Sequence, residues 1–192
     1  MKEKDIVDFF DNRAASWDDE LVVDSQVINR ILDEGGVKQG SRVLDVASGT
    51  GILFEYYKER GVSSILGIDI SPEMVKRARE KYPDINVICA DAGKHGFSED
   101  FDTVMIHNAF PHFSEPDKVI SNLLTALKKG GRLTVAHSAS RAEIEKCHST
   151  AAKKVSHSLP QADELASFLG AYLVVDVVIS DDSMYMVSGL IK

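Results

Sequence analysis

The residues best suited to chemistry lie in one run, Val43-Leu44-Asp45-Val46-Ala47-Ser48-Gly49-Thr50-Gly51. An apolar stretch passes into two glycines separated by one residue, and a helical pattern follows. Glycine has no side chain, so a ligand can lie against the backbone there. It would face the open N–H groups of the next helix. Two carboxylates narrow the ligand. Asp45 sits four residues before Gly49, where its charge repels phosphate and welcomes an ammonium group. Asp69 ends the run Gly67-Ile68-Asp69, 20 residues after Gly49, where a carboxylate can accept both hydroxyls of a ribose. The third glycine of a dinucleotide fingerprint is missing, and Phe54 stands in its place. A ligand with a ribose, a cationic amino-acid part and no phosphate therefore fits better than a nicotinamide dinucleotide.

Histidines form the second candidate group. There are six. His107 and His137 end predicted strands, and His112 follows closely in Asn108-Ala109-Phe110-Pro111-His112. Ligands of open α/β sheets bind at these strand ends. His148 and His157 come later, and His95 falls in a loop. Three readings stand. The rings are structural or solvated. Alternatively, His112 or His137 acts as a general base or hydrogen-bond donor. Finally, His107, His137 and His148 could meet a metal or a metal-bearing, corrinoid-type substrate. No compact H-x-x-x-H spacing supports the last. Arg141 is either solvated or a receiver of an anionic group.

The elements that must position these residues alternate. Strands are expected at 42–47, 64–68, 85–89, 102–106 and 132–137, with helices between them. Ser71 and Pro72 open one helix, with Met74, Val75, Ala78 and Tyr82 on its apolar side. Another spans about 116–128 and is stopped by Gly130-Gly131. Two helices are expected within 3–34, the second closed by Gly35-Gly36. After the fifth strand, Ser140 and Glu143 have capping-box spacing ahead of a helix with Ile144, Cys147, Ala151 and Val155 on one side. A helix at about 160–169 precedes strands at 172–179 and 184–191. The turn between those strands is short, which demands an antiparallel hairpin. Alternating strand and helix imply parallel strands with right-handed crossovers.

Composition sets the outer limits. The chain has 192 residues, 44% hydrophobic and 27% charged, which suits one globular domain. Its net charge of −8 argues against nonspecific nucleic-acid binding and against anionic lipid. Cys89 and Cys147 are too few for a disulfide scaffold. No export signal or membrane-spanning run is visible, so a cytoplasmic protein with reduced thiols is expected.

Together, the segments D-V-A-S-G-T-G (45–51), G-I-D-I-S (67–71) with Met74, A-D-A (90–92), F-D-T-V-M-I-H-N (101–108) and L-K-K-G-G-R-L (127–133) resemble the class I S-adenosylmethionine-dependent methyltransferases. The resemblance spans nearly the whole chain. More loosely, F-F-D-N-R-A-A-S-W-D (9–18) is similar to the amino-terminal segment of the ubiquinone and menaquinone methyltransferase type. The resemblance implies a three-layer, Rossmann-like, doubly wound α/β fold with a seven-stranded sheet, mostly parallel, the last strand antiparallel. It implies one domain, with a helical lid at 1–36, a cofactor-binding core at 37–137, and substrate-side helices with a β-hairpin at 138–192. Asp45, Ala47, Gly49 and Gly51 would hold the methionine part of S-adenosylmethionine. Asp69 would take the ribose, Ile70 and Met74 the adenine faces, and Asp91 and Ala92 the adenine edge. Asn108 would lie near the methyl end. Trp17 would cover the cofactor or anchor the first helices. The implied function is methyl transfer to a small-molecule acceptor, with no nucleic-acid or membrane partner and the oligomeric state open. The N-P-P-Y-type tetrapeptide of adenine-methylating relatives is absent, with N-A-F-P at 108–111. Its rivals are a nicotinamide-dependent oxidoreductase and a cofactor-binding protein without transferase activity.

Overall fold

The computed structural model describes residues 1–98, 100–148 and 152–192. Apolar runs rich in Val, Ile and Leu become strands, and the central ones, β1 and β4, are covered on both faces, as parallel sheets require. In chain order the elements are helices α1 (Glu3–Arg13), α2 (Trp17–Glu20) and α3 (Ser25–Glu34), strand β1 (Arg42–Val46), α4 (Phe54–Glu59), β2 (Ser64–Asp69) and α5 (Pro72–Lys81). There follow β3 (Asn86–Cys89), β4 (Phe101–His107), a 3-10 turn at Phe110–His112, α6 (Pro116–Leu124) and β5 (Leu127–His137). The chain ends with α7 (Arg141–His148), α8 (Ala162–Leu169), β6 (Leu173–Ser180) and β7 (Tyr185–Ile191).

The seven strands form one sheet in the order β3-β2-β1-β4-β5-β7-β6. Only β7 is reversed, pairing antiparallel with both β5 and β6, as the short turn after β6 demands. Two apolar layers flank the sheet. One packs Ile28, Ile31 and Leu32 of α3 with Phe54 and Tyr57 of α4 and Val75 and Ala78 of α5. The other packs Val119, Ile120 and Leu123 of α6 with Leu165 and Leu169 of α8. This is the three-layer α/β arrangement expected, with the carboxyl ends of β1, β2, β4 and β5 on one rim.

Four local expectations need correction. The amino-terminal part forms three helices rather than two, because a turn separates α1 from α2. Helix α6 stops at Leu124, well before Gly130. Thr125 Oγ1 donates to the Asn122 carbonyl at 2.6 Å, and the Ala126 carbonyl already accepts from Phe101 N–H at 2.8 Å. Gly130 and Gly131 instead lie within a register shift between Phe101 and Thr103 on the β4–β5 pair. Cys147 is exposed rather than on an apolar face, and α7 ends at His148. Ala151, expected on the same helix, lies outside the described residues. The capping box at Ser140 forms: its N–H donates to Glu143 at 3.1 Å, and Ser140 Oγ accepts from Glu143 N–H at 3.3 Å.

Candidate functional site

The rim at the strand ends is shaped by the turn after β1. Ala47 and Gly49 adopt left-handed φ angles of 54° and 55°, and Gly51 one of 84°. A left-handed alanine is uncommon outside tight turns. The two glycines serve different neighbours. A Cβ on Gly49 would meet only Trp17 Nε1, at 4.0 Å, whereas one on Gly51 would fall 2.5 Å from the Phe54 ring. A Cβ on Gly67 would likewise lie 2.8 Å from Phe54 Cζ. Gly51 therefore gives room to Phe54, and Gly49 leaves room toward the cavity.

That cavity, about 150 Å³, is lined by Ala47, Ser48, Gly49, Asp69, Ile70, Met74, Asp91, Ala92, His107, Asn108 and His112. Asp45, Gly51 and His137 are not part of its lining. Asp69 anchors the turn: one carboxylate oxygen accepts from Gly49 N–H at 2.8 Å, the other from Ser71 N–H at 2.9 Å. Each oxygen keeps a lone pair. Burial raises the Asp69 pKa to about 6 against those two hydrogen bonds, which lower it. Asp45, only 2% exposed, is pushed to about 8, first by burial and then by the Asp69 charge. Two neighbouring carboxylates, with no cationic side chain bearing on them among the described residues, thus sit beneath the turn. Asp91 accepts from Gly93 N–H at 2.8 Å and pairs with Lys94 at 2.9 Å. Asn108, itself at a left-handed φ of 54°, ties β4 to β5 by accepting from Ser138 N–H at 3.0 Å.

The first helices roof the cavity. Ile6, Phe10, Trp17 and Leu21 face it, and Phe10 meets Trp17 edge-to-face at 5.7 Å. Polar contacts tie this segment down. Asp11 accepts from Ser71 Oγ at 2.5 Å and from Glu73 N–H at 3.2 Å, at the first turn of α5. Asp18 accepts from Thr50 Oγ1 at 2.5 Å and from Lys81 at 2.6 Å. Lys94 donates to Glu3 at 2.5 Å.

The histidines gather as the strand ends suggested, and more tightly. His112 Nδ1 lies 2.8 Å from the Val155 carbonyl. A carbonyl only accepts, so Nδ1 carries the proton and Nε2 the lone pair. The His112 ring meets Phe10 at 5.0 Å and His148 at 5.1 Å. Burial lowers the pKa of both His107 and His112 to about 4. His137 is held well below the usual histidine range by burial and by its histidine neighbours. His95 instead packs on Phe97, and the Arg141 guanidinium donates to the Leu159 and Pro160 carbonyls. Sequence reasoning missed Phe10, Ser48 and Tyr185. The Phe9-Phe10 pair, ahead of Trp17, was the available signal for the roof. Tyr185 carries none, because it reaches the rim only through the hairpin register.

A glycine turn between β1 and its helix, an acidic β2 end and a roofed cavity at the strand ends define a Rossmann-like cofactor-binding protein. Comparison with known proteins sharpens the class. A family described as "Methyltransferase domain" matches residues 44–135. A demethylmenaquinone methyltransferase of Renibacterium salmoninarum is 37% identical over 107 residues, 55% of this chain and 45% of that protein. A ubiquinone/menaquinone biosynthesis C-methyltransferase of Serratia proteamaculans is 33% identical over 150 residues, 70% of this chain and 59% of that protein. The chain thus spans about half the length of these curated relatives. The fold matches magnesium protoporphyrin IX methyltransferase of Synechocystis, solved with bound S-adenosylhomocysteine, at TM-score 0.74 and 16% identity over 99% of both chains. The chain belongs to the class I S-adenosylmethionine-dependent methyltransferases. The cofactor of that class suits this cavity. Among the described residues no cationic side chain bears on Asp45 or Asp69, Gly49 leaves open space, and the buried Ser48 Oγ has no hydrogen-bond partner. A sulfonium-bearing amino acid would supply the missing positive charge.

Proposed function

We propose that the protein transfers a methyl group from S-adenosylmethionine to a small-molecule acceptor in the cytoplasm. The observation that carries this reading is one cavity whose lining joins Gly49 and Asp69 to His107 and His112. The names of the curated relatives, both quinone-pathway methyltransferases, agree with it. In this reading Asp69 accepts the ribose hydroxyls, and Ile70 and Met74 pack the adenine. Asp91 and Ala92 meet the adenine edge, and Ala47 and Gly49 hold the methionine part. Asp45 contributes its charge from behind the turn, and Gly51 shapes that turn. Asn108 borders the methyl end. Residues 1–36 act as a lid over the core at 37–137, and residues 138–192 complete the acceptor side.

When bound, the cofactor supplies an already activated methyl group on a cationic sulfur. The chain must then align an acceptor and exclude water. The roof of Ile6, Phe10 and Trp17 excludes water. A proton leaving the acceptor passes to Nε2 of His112, whose tautomer the Val155 carbonyl fixes. Burial keeps that ring neutral, so its lone pair is available near neutral pH. His137 lies at the end of β5, outside the cavity lining.

Two measurements test the reading. Calorimetry should show one saturable site for S-adenosylhomocysteine. Incubation with labelled S-adenosylmethionine and a panel of phenol, quinol and amine acceptors should yield a methylated product. Thermal stabilisation by NADH but not by S-adenosylhomocysteine overturns it.

A further inference from the structure

Burying a polar atom without a partner is costly, and folded proteins leave few such atoms. Tyr57 Oη, on α4, is one of them. The whole side chain is buried, and its ring belongs to the apolar layer of Val43, Phe54 and Met105. A phenylalanine would fill that layer without stranding a hydroxyl. The hydroxyl faces Asp45, the carboxylate beneath the glycine turn. The two groups shift one another's titration, yet no hydrogen bond is closed between them. Strand register explains the meeting. Asp45 pairs with Gly67 of β2 and Met105 of β4, and paired residues point to the same side of a sheet. Met105 lies in the α4 layer, and a Cβ on Gly67 would touch Phe54, so Asp45 points toward α4 as well. The other charged group that bears on Asp45 is Asp69, from the end of β2, which itself feels Asp11 of α1. Asp69 lines the cavity. A charge at the cavity wall is thus felt at Asp45 through the turn.

We propose that Tyr57 is a positioning residue for cofactor binding, its hydroxyl donating to Asp45 once a bound cation ionises that carboxylate. The inference rests on the methyltransferase reading and adds a residue of α4 to its cofactor site. In the cofactor-free protein Asp45 is mostly protonated at pH 7, so the hydroxyl meets a neutral acid. A cationic amino-acid part held against Gly49 opposes the field of Asp69 and favours the carboxylate. A hydrogen bond to an ionised acceptor is about twice as strong as one between neutral groups. The bond therefore gains strength at the moment the ligand's charge arrives. Burial and the Asp45 charge push the Tyr57 pKa well above its ordinary value, so the hydroxyl keeps its proton and remains the donor. Among the described residues, only Asp45 bears on that hydroxyl. Tyr57 touches neither the cavity nor the ligand; it acts through Asp45.

The test compares the full chain with Tyr57→Phe, which keeps the ring and removes the hydroxyl. The wild type is first titrated with S-adenosylhomocysteine, whose ammonium is the cation; absence of that binding refutes the methyltransferase reading itself. Affinity is then measured for both proteins at pH 6.5 and pH 9. The ligand's own titration cancels in the ratio of the two. Losing one hydrogen bond to an ionised group makes Asp45 about tenfold harder to ionise. Tyr57→Phe should therefore bind about tenfold more weakly at pH 6.5, where binding must ionise Asp45. At pH 9 Asp45 is largely ionised beforehand, and the two affinities should agree within about twofold. In an Asp45→Asn background the same change should leave the ratio near one at both pH values. The melting temperature at pH 6.5 should hold or rise, because the variant removes an unpartnered polar atom. A loss of equal size at both pH values, or none at pH 6.5, overturns the positioning role alone. So does a loss that persists with Asp45→Asn, or a lowered melting temperature, which would mean that the hydroxyl already has a partner.

Discussion

Asp69 performs two tasks with one carboxylate. It holds Gly49 and Ser71 by their N–H groups, and it keeps lone pairs toward the cavity. Asp69→Ala should therefore lower S-adenosylhomocysteine affinity by roughly 2–3 kcal/mol, from lost charge-assisted hydrogen bonds and a loosened turn. Unchanged affinity in calorimetry would refute the ribose assignment. Asp45 makes a separate prediction. With a pKa near 8 it is mostly protonated at pH 7, and a bound cation favours its ionised form. Binding of S-adenosylmethionine should release a fraction of a proton at pH 7, and affinity should strengthen between pH 6.5 and 8. Calorimetry in two buffers of different ionisation enthalpy measures the release; none at all would disconnect Asp45 from the ligand. Both aspartates were legible in the sequence because their spacing from the glycine turn is a backbone constraint. The role of Gly51 was not, since its reason is the Phe54 ring, and nothing in the spacing says where that ring turns.

At the level of elements, α1 and α2 cover the cavity through contacts to three separate loops. Asp11 is the firmest of these. It accepts from Ser71 Oγ and Glu73 N–H, two donors at the start of α5. A carboxylate at a helix N-terminus is favoured by the helix dipole and by unpaired N–H groups. Asp11→Ala should cost about 1 kcal/mol of stability and should let the roof open more often. Trp17, the single tryptophan, lines the cavity, so its fluorescence reports occupancy. Stopped-flow traces should show faster S-adenosylhomocysteine release in Asp11→Ala than in the wild type. Equal rates would mean that these helices do not gate the cavity. The strands and most helices were visible as apolar periodicity, and the reversed last strand followed from turn length alone. The end of α6 was not visible. Its apolar stripe continues through Leu127, but that residue pairs with Phe101 in the sheet, a partner 26 positions back in the chain that no local pattern names.

Across the whole molecule, the buried ionisable groups pull stability in opposite directions with pH. Asp45 and Asp69 have raised values in the folded state, about 8 and 6, against 3.8 as the ordinary value. The folded protein therefore holds protons that the unfolded chain has released, and these groups weaken the fold as pH rises. His107 and His112 are lowered to about 4 from 6.5, and burial and neighbouring histidines hold His137 well below 6.5. There the unfolded chain binds protons that the folded one refuses, so these groups weaken the fold as pH falls below 6.5. Each proton of difference changes stability by about 1.4 kcal/mol per pH unit. From pH 8 down to 6.5 the Asp45 proton dominates, and stability should rise. Below 6.5 three or more histidines outweigh two aspartates, and it should fall. The cofactor-free protein should thus melt at its highest temperature near pH 6 to 6.5. His137→Phe should flatten the acid limb and leave the alkaline limb in place, while a cationic ligand that ionises Asp45 should flatten the alkaline one. Calorimetric scans from pH 4.5 to 8.5 decide this. A melting temperature that climbs steadily through pH 8 would show that Asp45 is ionised in the folded protein, and the carboxylate pair beneath the glycine turn would then be stabilised by a partner other than the ligand.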